Sequence, residues 1–99
     1  MTENTKTLKR KSVNEYMTDF QVLSRRQVEL AIQIRAYRAK YNLSQDQFAK
    51  IATAYGQPTH TKFAYAEISN YENYRTIPTE KKLNALLLTL HITLEDLAA

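Results

Sequence analysis

An all-α domain of five or six short helices is the fold class predicted by this 99-residue chain. Apolar residues recur at helical rather than alternating spacing along most of its length. Ser24, Ser44 and Thr93 are each followed three positions later by Gln or Asp, the spacing of a helix-opening capping box. The composition, 43% hydrophobic and 24% charged, is that of a globular domain too small for two independent cores.

Residues 1–11 are polar and basic without periodicity and predict an arm. Val13, Tyr16, Met17 and Phe20 recur at i, i+3, i+4 and i+7, predicting a short amphipathic helix through Val22. Ser24 and Gln27 predict the start of a second helix, ending near Asn42. Its inner stripe is expected to be Val28, Ala31/Ile32 and Arg35, with Ile34, Tyr37/Arg38 and Tyr41 adjoining. This division sets residues 1–23 (arm plus short helix) apart from a main domain at 24–99.

Ser44 with Gln47 opens the next helix, whose expected buried face is Phe48, Ala49, Ile51, Ala52 and Tyr55. Gly56 is read as a left-handed stop, and Gln57-Pro58-Thr59-His60 as a loop. A helix carrying Phe63, Ala64, Ile68 and Tyr71 is expected to resume near Thr61. Pro78 suits a first helical position ahead of Leu83, Leu86, Leu87 and Leu90. Thr93 and Asp96 open a last short helix through Leu94 and Leu97.

The same composition narrows the chemistry. A single Gly rules out Gly-rich phosphate loops. The lack of Cys rules out disulfides and thiolate zinc sites and fits a reducing cytoplasm. His60 and His91 have no second ligand at helical spacing, so no metal, other cofactor or catalytic residue is expected. The carboxylates fall on expected exposed faces near Lys or Arg, which argues against an enzyme. The longest apolar run, Leu83–Leu94, is too short and too interrupted to cross a bilayer, and no signal peptide is evident. The expectation is a cytoplasmic chain.

The net charge of +4 is concentrated in residues 25–43, where Arg25, Arg26, Arg35, Arg38 and Lys40 oppose Glu29 alone. The final residues carry only Glu95 and Asp96. Such an imbalance suits a polyanion facing one side of the molecule, although a basic protein with an ordinary solvated surface would show it too. The helix expected over Thr61–Asn73 would present Lys62, Tyr65, Ala66, Ser69, Asn70 and Asn73 outward. Asn is a bidentate partner for adenine, and small residues can meet the thymine methyl; an exposed polar helix face is the plainer reading.

Arg38, the run Leu43-Ser44-Gln45-Asp46-Gln47-Phe48-Ala49, the run Ile68-Ser69-Asn70-Tyr71-Glu72-Asn73, Pro78, and Leu83, Leu86, Leu87 and Leu90 occur in that order. This pattern resembles the lambda-repressor-like (Cro and xenobiotic-response-element type) helix-turn-helix domain over residues 27–97. The resemblance implies base contacts from Tyr65, Ala66, Ser69 and Asn70, and backbone contacts from Ser44, Gln45, Lys62, Asn73 and Arg75. It also implies an interior ion pair between Arg38 and Glu72, which could otherwise be separate surface charges. Double-stranded DNA with an inverted-repeat operator, bound by a homodimer, is the partner it implies. Leu94 and Leu97 are the family-like dimer surface, with the N-terminal helix as the alternative.

Three departures from the pattern matter. The stretch between the two motif helices is longer than usual, as in some phage repressors, and leaves the start of the second motif helix open: at Thr61, which would bring His60, Thr61 and Lys62 to DNA, or at Phe63 or Ala64. Ala64 and Ala66 are poorer readers than the polar residues usual there. Tyr74 stands where the family has Gly, so the helix is expected to run on toward Arg75. Tyr71 is read as core, His91 as a packing or dipole-facing residue, and His60 as either an idle loop residue or a phosphate contact.

The expected function is a sequence-specific transcriptional regulator, a repressor that occupies an operator. The alternative is the antitoxin of a toxin–antitoxin pair, binding a protein partner through residues 1–23 and regulating its own promoter. A family fold that acts only through protein contacts is the third option.

Overall fold

The computed structural model describes the backbone of residues 10–98 and side chains from Arg25 to Leu97. The described residues form five α-helices: α1 Arg10–Tyr41, α2 Gln45–Tyr55, α3 Tyr65–Glu72, α4 Glu80–Leu90 and α5 Leu94–Ala98. The all-α class is therefore as expected. Most of the arm expected over residues 1–11 lies outside the described residues; Arg10 and Lys11 belong to α1.

The expected break at Ser24 does not occur, because α1 runs unbroken for 32 residues. No Gly or Pro interrupts Arg10–Tyr41. A Ser followed by Gln three positions later caps a helix only where the preceding turn leaves amides unpaired. The boundary drawn between residues 23 and 24 thus falls inside one helix. The inner stripe also differs from expectation: Leu30, Ala31 and Ile34 are buried, whereas Val28 is 40% and Ile32 47% exposed. Both sets have helical spacing, and it is the partner helices that select Leu30 and Ile34.

α1 ends as expected near Asn42, which takes the left-handed conformation (φ 56°). The Leu43 N–H then bonds the Arg38 carbonyl at 2.8 Å, and the Asn42 N–H bonds that of Ala39 at 3.3 Å. This is a Schellman closure, for which Asn is a tolerated residue. α2 opens with the expected box: the Gln47 N–H donates to Ser44 Oγ at 3.0 Å, and the Ser44 N–H to Gln47 Oε1 at 2.8 Å. Phe48, Ala49 and Ala52 are buried, but Tyr55 is 39% exposed, its ring edge-on to His91.

Gly56 stops α2 without being left-handed (φ −85°). It is required for space, since a Cβ there would lie 2.5 Å from the Thr61 carbonyl oxygen and 2.8 Å from Thr61 Cβ. A 3₁₀ turn at Gln57–Thr59 follows, with Pro58 in its first positions, and His60 takes the left-handed conformation instead. Residues 61–64 belong to no helix, and Ala64 is extended; Thr61 and Phe63 are buried and Lys62 and Ala64 exposed. The Thr53 hydroxyl accepts from the Phe63 N–H at 2.8 Å and donates to its carbonyl at 3.3 Å. With both backbone groups of Phe63 held by α2, the helix expected from Thr61 begins only at Tyr65.

α4 starts two residues later than expected: Glu80 is its first residue, Thr79 is the N-cap, accepting from the Lys82 N–H, and Pro78 precedes the cap. α5 has the expected box, with the Thr93 N–H donating to Asp96 Oδ2 at 2.7 Å. α2 packs against α3 and α4, and α1 against α3, α4 and α5. Leu30, Ile34, Phe48, Ile68, Leu86 and Leu97 lie at the centre of the shared core. Leu97 is 1% exposed and so cannot supply a dimer surface, whereas Leu94 is 41% exposed. Among the described residues no helix is long and apolar enough to cross a membrane.

Candidate functional site

α3 is amphipathic at a very short length. Ile68, Tyr71 and Glu72 are buried, while Tyr65, Ala66, Ser69, Asn70 and Asn73 follow one another around the opposite side. Tyr65 is 59% exposed, Ala66 is exposed, and Ser69 and Asn70 are half-buried. Burial drives the Tyr71 phenol up to about 12, with the Glu67 charge adding to the effect; Tyr71 is core, as expected.

The carboxyl end of α3 is fixed by Glu72, whose side chain is 5% exposed. Arg38 grips it with two parallel bonds, Nε to Oε2 and Nη2 to Oε1, both 2.8 Å. Gln45 Nε2 adds a third at 3.2 Å to Oε1. Arg35 Nη2 donates to the Glu72 carbonyl at 2.5 Å, and Arg38 Nη1 to the Leu43 carbonyl at 3.2 Å. Donating to Glu72 raises the Arg38 guanidinium above its ordinary value, against the lowering effect of burial. The geometry is the bidentate Arg–carboxylate fork. It joins α1, the start of α2 and the end of α3.

Tyr74 ends the helix rather than prolonging it. It is left-handed (φ 61°), the Arg75 N–H bonds the Asn70 carbonyl at 2.9 Å and the Tyr74 N–H that of Tyr71 at 3.3 Å. The closure is the Schellman type that normally employs Gly. The Tyr74 ring lies 6.0 Å from the Arg35 guanidinium carbon, a cation–π contact next to the strained residue.

The amino end is held differently. Its N-cap, Ala64, has no side-chain acceptor, so Glu67 reaches back to take the Ala64 N–H at 3.0 Å. The other Glu67 oxygen is paired with Lys82 of α4. Partial burial alone would raise the Glu67 carboxyl, but Lys82 and the Ala64 N–H outweigh it and hold it below the ordinary carboxylate range.

The remaining expected site residues flank the exposed face or are otherwise engaged. Lys62 and Arg75 are exposed just before and just after α3. Ser44 Oγ is occupied by the α2 cap, and Gln45 points its amide at Glu72. Asn73 Nδ2 donates to the Ser69 carbonyl at 2.8 Å and lies 3.3 Å from Ser69 Oγ. Sequence patterning assigns no site role to Arg35, Thr53, Glu67 or Lys82, which the structure places around α3. Glu67 carried one legible signal, an acid three residues after a helix start, but without Ser or Thr at Ala64 the box could not be recognised.

Both carboxylates of α3 are therefore neutralised by a cation, and its outward face carries only neutral hydrogen-bonding and aromatic groups between two exposed basic residues. Among the described residues no cluster of three His, Asp or Glu side chains could hold a metal. No protein-family model, curated protein or solved structure matches this chain.

Proposed function

We propose that the chain is a sequence-specific double-stranded DNA-binding regulator, a repressor of the lambda-repressor-like helix-turn-helix kind, with α3 as its base-reading helix. The observation that carries the reading is the combination at α3: an outward face of Tyr65, Ala66, Ser69 and Asn70, no free carboxylate, and a rigid tie through Glu72 to α1 and α2. A helix with unpaired acids would be repelled by the phosphates, and one loosely held would lose its discrimination to disorder. Asn70 supplies an amide suited to adenine, and Tyr65 and Ala66 supply apolar contact for thymine methyls.

Lys62 and Arg75 lie beyond the two ends of α3, where they can meet phosphates flanking the groove. The basic segment of α1 adds to the attraction, and its contribution is displaced by salt. A homodimer on an inverted repeat follows from one short reading helix per chain; Leu94 remains on the surface for it.

Enrichment of bound sites from a random duplex pool tests the reading. The expected product is an inverted repeat, with log affinity falling by about 0.9 per neutralised phosphate against log salt. A flat salt dependence, or no enriched motif from folded protein at low ionic strength, refutes it.

A further inference from the structure

What α3 presents to a groove depends on how its first turn is set, because Tyr65 and Ala66 lie in that turn. Three elements meet there. Glu67 takes the Ala64 N–H with one oxygen and Lys82 with the other. Lys82 belongs to the first turns of α4, and its Nζ also lies 5.6 Å from the centroid of the Phe63 ring. Phe63 is 8% exposed and has both backbone groups bonded to the Thr53 hydroxyl. Lys82 thus contacts the connector and the helix at the point where one becomes the other.

The geometry points to Lys82 and Glu67 as positioning residues for base reading: together they fix the start of α3 and thereby place Tyr65 and Ala66. Neither needs to touch a base. The inference rests on α3 being the base-reading helix, but its first consequence is measurable without DNA. A pair that were only solvated surface charge would leave the first turn unaffected when broken.

The test compares the full chain with Lys82→Met, Glu67→Ala and Lys82→Arg by amide hydrogen exchange in the absence of DNA. The Ala64, Glu67 and Ile68 amides report the first turn; the Asn73 and Arg75 amides report the far end. In Lys82→Met and Glu67→Ala the first group exchanges about fivefold faster, and the second changes by less than about twofold, the scale of a half-exposed pair opening locally. Lys82→Arg keeps the wild-type pattern. Site selection with Lys82→Met then relaxes the bases facing Tyr65 and Ala66 and leaves the base facing Asn70 unchanged. Unaltered exchange at Ala64, Glu67 and Ile68, or equal acceleration at both ends, overturns the positioning role. The expected exchange pattern in a wild-type chain that selects no motif overturns α3 as the reading helix, and the base-reading role of the pair with it.

Discussion

At its carboxyl end α3 is held by a carboxylate that is 5% exposed and shared by Arg38 and Gln45, with Arg35 on the same residue's carbonyl. At its amino end it is held by a carboxylate that is 33% exposed and shared by one lysine and one amide. The Glu72 carboxylate is nearly cut off from water, so losing its partners leaves a buried charge that solvent compensates poorly. The half-exposed one lets water and salt substitute, so its loss is mild and its strength depends on conditions. One short helix thus has a rigid end and an adjustable end.

The comparison breaks most visibly at the rigid end. Glu72→Ala is expected to lower unfolding stability by about 3–5 kcal/mol in urea denaturation, because Arg38 is left unpaired. Replacing both partners with apolar residues (Arg38→Met with Glu72→Leu) should cost less than either single loss. A Glu72→Ala cost below that of Glu67→Ala would reverse the two ends.

Gly56→Ala strikes the connector that leads to the adjustable end. Its Cβ meets the backbone of Thr61, which cannot swing aside as a flexible side chain could. A loss of about 1–3 kcal/mol is expected, read by the same denaturation.

Acid acts at the amino end. The Glu67 carboxyl is lowered in the folded state, so its contribution is complete above the ordinary carboxylate range and disappears as pH falls through the lowered value. Its size is at most about 1 kcal/mol, given its exposure. Protection of the Ala64 amide, relative to its intrinsic exchange rate at each pH, should fall on acidification in wild type and change less in Glu67→Gln. The smallest effect, and one of opposite sign, is expected from Tyr74→Gly. Relief of the left-handed strain should raise stability by up to about 1 kcal/mol, partly offset by loss of the Arg35 contact.

These contrasts also show where sequence reasoning reaches. The boxes at Ser44 and Thr93 are legible because donor and acceptor are three residues apart and follow a chain break in helicity. Ser24 has the same local pattern, but nothing upstream interrupts the helix, and continuation wins. α1 is apolar on two faces, so periodicity cannot choose Leu30/Ile34 over Val28/Ile32 without knowing where α3, α4 and α5 lie. The start of α3 is set by Thr53, ten residues before the Phe63 it holds, a contact that leaves no local mark. The Arg38–Glu72 pair, implied only by family resemblance, is present with bidentate geometry. Tyr74 and His91 show that a glycine-poor chain closes helices with strained residues where Gly is the usual marker.

The most direct measurement is site selection repeated with Asn70→Ala, alongside wild type, after confirming that both fold equally. Asn70 sits on the outward face, with its backbone carbonyl bonded to the Arg75 N–H, so truncating its side chain spares the core. Preference at one position of each half-site should disappear, a loss of about 1–3 kcal/mol in discrimination, with the other positions and the half-site spacing retained. An unchanged motif would contradict the placement of α3 in the groove.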